Sequence, residues 1–196
     1  MDDAANEVLK TATEVILKPF TKVVGDAVGI IGGDYLSEYR QANREKIQKK
    51  FSKVMSDSNA KDIPQPNVTF VIQILEAAQE ENRDELQDIW AKLIAAAIDP
   101  AKSTRYRREY VDIVKKFEPL DARVLMALDD SKLSPSQRSF FATQYKVSED
   151  QIELAMKNLV TLGCAIDPLL RVNGFTQSIP NVSLSALGRE LRHVLQ

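Results

Sequence analysis

Apolar residues return with helical periodicity along most of this chain. Between residues 3 and 18, Val8, Ala12, Val15 and Ile16 share one face and predict an amphipathic helix, which Pro19 kinks or breaks. A second helix is expected from Phe20 to Met55. Its first half, VVGDAVGIIGG, sets Gly25, Gly29 and Gly33 at four-residue spacing on one face; its second half, EYRQANREKIQKKFSKVM, is polar and basic. SDSNAKDIPQP, 56 to 66, has the composition of a linker. The following VTFVIQILEAAQEE is a helix too apolar to be exposed.

The next helix carries Leu86, Ile89, Trp90, Leu93, Ile94 and Ala97 at helical spacing, which predicts a buried stripe. N-R-D-E reads as a capping box that opens it, with Asn82 as N-cap, and Asp99-Pro100 ends it. Residues 104 to 117 are expected to form a further helix, with Tyr106, Tyr110, Ile113, Val114 and Phe117 inward. After Pro119 the elements shorten. LDARVLMALDD is a short helix; S-P-S-Q at 134 and S-E-D-Q at 148 are two helix starts. Ile152, Ala155, Met156 and Leu159 make the buried face of the second, and Gly163 stands where a C′ glycine belongs. CAIDPLLRV and TQSIPNVSL flank an Asn-Gly turn, a hairpin signal, and SALGRELRHVL closes the chain as a helix.

The expected fold is therefore mostly α. It has an N-terminal helical arm (1–55), a linker (56–66), a central helical region (67–118), and a winged-helix-like region (119–196) with a small β-hairpin. Composition supports this, with 7 glycines in 196 residues and an ordinary balance of 44% hydrophobic and 28% charged residues. A lone cysteine, Cys164, forms no internal disulfide and fits a reducing compartment. The acidic start MDDAANEVLK lacks the basic region of a signal peptide, and Lys18, Lys22 and Asp26 interrupt the one apolar region near a membrane-spanning length. A cytoplasmic location is expected, with peripheral attachment to the inner membrane through the arm as the variant.

Most site chemistries are poorly supported. One His (His193) and one Cys (Cys164) do not furnish a structural zinc site; a buried thiol and a surface imidazole are the expectation. GIIGGDY lacks the lysine and hydroxyl residue of a phosphate loop. No cofactor or small-molecule substrate is indicated. The acidic run at 80 to 88 sits at a helix start, where carboxylates complement the dipole.

A net charge of −2 gives no overall basic field for nucleic acid. The helix that would read DNA opens with Glu149, Asp150 and Glu153, which repel phosphates, so nucleic-acid binding is disfavoured. Two basic stretches remain: 40 to 53, and TRYRREYVDIVKK, where Arg105, Arg107 and Arg108 interleave with Tyr106 and Tyr110. Either is a solvated face, a partner for the acids at 80 to 88, or a contact for an anionic partner, for which Arg105, Arg107 and Arg108 are the candidates. Gly25, Gly29 and Gly33 together cost a helix about 3 kcal/mol against alanine, so a close-packing neighbour must offset them. They are candidate oligomer or membrane contacts.

ENRDELQDIWAKLIAAAIDP, followed by EYVDIVKKFEPLDARVL, resembles the abortive-infection alpha (Abi-alpha) family of bacterial proteins. The residues that carry the resemblance are Glu85, Leu86, Asp88, Ile89, Trp90, Ala91, Leu93, Ala95, Ala97, Asp99 and Pro100, then Tyr110 through Arg123, including Asp121. The match runs from 68 to 123 and thins over the arm and the C-terminal part. These residues look structural: a core stripe, a cap and a stop. The resemblance implies a bacterial, phage-related role in defence or growth arrest, with no catalytic residue to carry over. The expected function is non-enzymatic, acting through self-assembly or contact with another protein, with the glycine-bearing arm as the membrane-facing candidate. A winged-helix nucleic-acid-binding regulator is the alternative.

Overall fold

The computed structural model describes residues 33–57, 68–128, 135–167 and 182–196. The amphipathic segment 3 to 18, Gly25, Gly29, Ser134, the Asn173-Gly174 turn and most of the linker lie outside these. The described residues are mostly helical, with one small antiparallel sheet near the C-terminus. They divide into two units between Lys115 and Lys116.

The first unit is built around one helix that is buried almost all round. Helix α1 spans Gly33–Asp57, α2 Val68–Ala78 and α3 Asp84–Ile98. In α3, Leu86, Ile89, Trp90, Leu93, Ile94 and Ala97 are buried as expected. So are Gln87, Ala91, Ala95, Ala96 and Ile98. Burial this complete follows from neighbours on several sides: α1, α2 and the single turn α4 (Pro100–Ser103) all pack on α3. The alanines let those neighbours approach closely. From α1, Asn43, Ile47, Phe51 and Met55 form the inward stripe, one residue per turn. Val71, Ile74, Leu75 and Ala78 do the same for α2.

The start of α3 differs from the expected cap. Its N-cap is Arg83 in extended conformation, not Asn82. The local work is done by Glu81, whose carboxylate accepts from the Arg83 backbone N–H and from its guanidinium, each at 2.9 Å. The Glu81 carbonyl accepts from the buried Gln87 side chain at 2.8 Å. Burial alone would raise the Glu81 carboxyl, but the Arg83 hydrogen bonds and charge outweigh it and hold the carboxyl below its ordinary value. At the other end Asp99 stops the helix, and its carbonyl accepts from Lys102 at 3.1 Å and Ser103 at 2.7 Å. Helix α5 is only Glu109–Val114. The expected helix over 104 to 117 is thus corrected: residues 104 to 108 form a turn. The inward residues are nonetheless those expected, because Tyr106, Tyr110, Ile113, Val114 and Phe117 are all buried.

The second unit runs α6 (Pro119–Ala127), α7 (Pro135–Tyr145), α8 (Glu149–Thr161), β1 (Ala165–Ile166), β2 (Ser183–Leu184) and α9 (Ala186–Val194). The strands pair antiparallel, Ala165 opposite Leu184 and Ile166 opposite Ser183. Helix α8 has both expected ends. Ser148 and Gln151 make the capping box. Gly163 takes a left-handed φ of +73°, its N–H donates to Val160 at 3.0 Å, and the Cys164 N–H donates to Leu159 at 2.8 Å. That pair of bonds is a Schellman stop, and it needs the glycine.

Candidate functional site

The two basic stretches have different fates. Within the first unit, Arg40 and Lys50 of 40 to 53 meet the acidic run that precedes and opens α3, while Lys46, Lys49 and Lys53 stay exposed. The Arg40 guanidinium meets the Glu80 carboxylate at 2.6 Å, and Tyr39 donates to the Glu80 carbonyl at 3.2 Å. The Asn43 amide donates to the Gln79 carbonyl at 3.0 Å. Lys50 reaches both Asp84, at 3.0 Å, and Asp88, at 2.7 Å. Burial would lower the Lys50 ammonium, but the hydrogen bonds and charges of the two aspartates win and raise it. Asp84 and Asp88 are one helical turn apart, which is why one cation serves both. This stretch closes α1 onto α3.

In the second stretch Arg107 and Arg108 form no ion pair among the described residues. Arg105, Arg107 and Arg108 are all exposed on the 104–108 turn. Tyr106 is the turn's anchor: it is buried, 5.1 Å from Phe70 and edge-on to Tyr110 at 6.1 Å between ring centroids. Burial pushes its phenol up to about 12, so it stays neutral. Arg108 lies over the Phe70 ring at 5.2 Å. The interleaved tyrosines therefore serve the core and offer no exposed rings on which bases could stack.

In the second unit, the first turn of α8 exposes Ser148, Glu149, Asp150 and Gln151. Glu149 accepts from the Ser139 hydroxyl at 2.5 Å, and Glu153 pairs with Lys157 at 2.8 Å. Cys164 is fully buried and its thiol is pushed up to about 12 by burial, while His193 is exposed. Among the described residues, no group of three or more His, Cys, Asp or Glu side chains is placed to hold a metal ion. Nor is any described helix long and apolar enough to cross a membrane.

Of the glycine stripe, only Gly33 falls among the described residues, as the first residue of α1. The motif residues are engaged in the fold. Leu86 and Trp90 are core, and Asp99 is the C-cap of α3 with Pro100 opening α4. Glu85 stands in the first turn of α3. Arg123 lies 5.9 Å over the Tyr145 ring. Asp121 is buried and caps α6, its Oδ2 accepting from the Glu118 N–H at 2.7 Å.

The chain matches the abortive infection alpha family model over residues 38–189. It belongs to that family. The abortive infection alpha match takes in most of the described chain, including most of α1 and the strand pair, and so extends well beyond the string at 68 to 123. No curated protein and no solved structure matches this abortive infection alpha chain.

Several residues that matter to these surfaces are not conspicuous in the sequence. Glu81, Gln87 and Lys50 act through partners brought by folding. Gly188 is another. A Cβ there would overlap the Cys164 carbonyl, which already accepts from the Ser185 N–H at 3.0 Å. The Ser185 hydroxyl caps α9 by accepting from the Gly188 N–H at 2.9 Å and donates to the Gly163 carbonyl at 2.5 Å. Ser185 three residues before a glycine was the available signal.

Proposed function

We propose that this abortive-infection-type protein is non-enzymatic and acts through contacts with copies of itself or with another protein. The observation that carries this reading is where the family residues lie. Trp90, Leu86, Asp99 and Asp121 fill a core or close a helix end, so the family's motif residues serve the fold. Family membership supports a role in phage defence, which would give the contact its purpose. The glycine-bearing segment, Gly25 to Gly33, is the candidate contact with another copy or with lipid at the inner membrane, because its small residues at four-residue spacing allow close approach.

The test is sizing and vesicle binding of the purified full chain, together with phage plating on cells that express it. The reading expects a species larger than a monomer, release of dye from anionic vesicles in its membrane version, and fewer plaques. A monomer that ignores vesicles and leaves plaque numbers unchanged sinks it.

A second reading, a nucleic-acid-binding regulator, draws on the order of three helices, two strands and a helix and on the exposed Arg105, Arg107 and Arg108. The exposed carboxylates at the start of α8 weigh against it. Salt-sensitive binding to a mixed oligonucleotide pool, weakened when the three arginines become alanine, would bring it forward.

A further inference from the structure

In the first unit Arg40 and Lys50 are paired with carboxylates, while Lys46, Lys49 and Lys53 stay exposed on α1. Around the 104–108 turn, residues 102 to 115 carry five cations against Glu109 and Asp112, in a chain whose net charge is −2. Arg107 and Arg108 are exposed, and among the described residues neither forms an ion pair. The second unit has the complementary face. Leu154 is 67% exposed on α8, four residues after Asp150 and so on the same side of the helix. Asp150 and Glu149 are exposed, and neither forms an ion pair among the described residues. On this face Lys157 is taken up by Glu153, which leaves the carboxylates in excess. An apolar centre rimmed by charge is the composition of a protein contact.

We propose that the 104–108 turn of one copy docks on the exposed face of α8 of a second copy, Arg107 and Arg108 against Glu149 and Asp150, with Leu154 covered between them. This rests on the reading that the protein assembles with itself, and it names the surfaces. The two faces differ, so each copy offers one basic and one acidic surface to the assembly. Opposite charge both speeds such an encounter and fixes its register. The turn suits the role because the buried Tyr106 fixes its backbone while its neighbours face solvent.

The experiment is analytical ultracentrifugation of the full chain. Four proteins are compared: wild type, Arg107→Glu with Arg108→Glu, Glu149→Lys with Asp150→Lys, and the fourfold variant. All four positions are exposed, and circular dichroism checks that each protein is folded. Wild type is expected above the 22.0 kDa monomer, with association weakening as added salt shortens the roughly 10 Å screening length found at 0.1 M. Each pair of changes should weaken association about tenfold or more, and the fourfold variant should restore it to within a few-fold of wild type. Leu154→Ser should weaken association without a change of charge. A wild type that stays monomeric overturns this inference and the self-assembly reading together. An assembly that neither pair disturbs, or that the fourfold variant fails to restore, overturns the inference alone. Loss of anionic-vesicle binding by the arginine pair, with association unchanged, overturns it and assigns the turn to lipid.

Discussion

The Asn158 amide donates to Asp121 Oδ2 at 2.6 Å, on the same oxygen that accepts the Glu118 N–H. One buried carboxylate thereby caps α6 and ties it to α8. Asn158 also donates to the Lys116 carbonyl at 3.3 Å, so the chain entering α6 is held from the same residue. A buried side chain that accepts two hydrogen bonds makes the loss of either partner costly.

Asp121→Ala is therefore expected to lower stability by about 3 kcal/mol, from a lost cap and a lost buried hydrogen bond. Asn158→Ala should cost about 1–2 kcal/mol. The double variant should cost less than the sum, because the two share a bond. Denaturant unfolding of the four proteins measures this, and simple additivity would show that the pair is not coupled.

Gly188→Ala should damage the second unit. The added methyl has no room against the Cys164 carbonyl, and that carbonyl cannot retreat because Cys164 is held by Leu159 on one side and Ser185 on the other. Overpacking of this kind costs about 1–3 kcal/mol or more, although alanine is the better helix former. The expected result is a lower melting temperature and faster proteolysis between residues 116 and 196. An unchanged melting temperature would contradict the close approach.

Cys164 should be chemically silent in the folded protein. Its thiol is buried and pushed up to about 12, so almost no thiolate exists near neutral pH. A thiol reagent at pH 8 should label it only at the rate of unfolding, and quickly in denaturant. Rapid labelling of the native protein is the opposing result.

Glu81 should give the first unit an acid-sensitive component. Its carboxyl is held below the ordinary value, so the stabilisation is present above about pH 4.3 and is lost as pH falls through the lowered folded value. Glu81→Gln should lower stability at pH 7 by about 1–2 kcal/mol and lose that difference from wild type in acid. Melting curves from pH 7 down to pH 3 decide it. A constant gap between the two proteins would mean that Arg83 does not hold the carboxylate.

Much of this architecture is written locally. The stripe from Leu86 to Ala97, the Ser148 capping box and the left-handed Gly163 each need only residues within a few positions of one another, and each is found where its pattern places it. Where a local pattern failed, a competitor was close by. Asn82 met the capping-box spacing, but the Glu81 carboxylate took the neighbouring backbone N–H together with the Arg83 guanidinium. The helix expected over 104 to 117 shortened to Glu109–Val114 while keeping its inward residues, because burying Tyr106 against Phe70 and Tyr110 does not require a continuous helix.

The sequence by itself determined which residues turn inward, where helices cap and stop, and which family the chain resembles, because periodicity and capping act over a turn or two of chain. Tertiary structure alone decided that Lys50 lies between Asp84 and Asp88, that Asn158 meets Asp121, and that Gly188 rests on the Cys164 carbonyl. It also sorted the basic residues, pairing Arg40 and Lys50 with carboxylates and leaving Arg107 and Arg108 in solvent. Charge is a property of composition. Whether that charge is free to meet a partner depends on which elements fold against it.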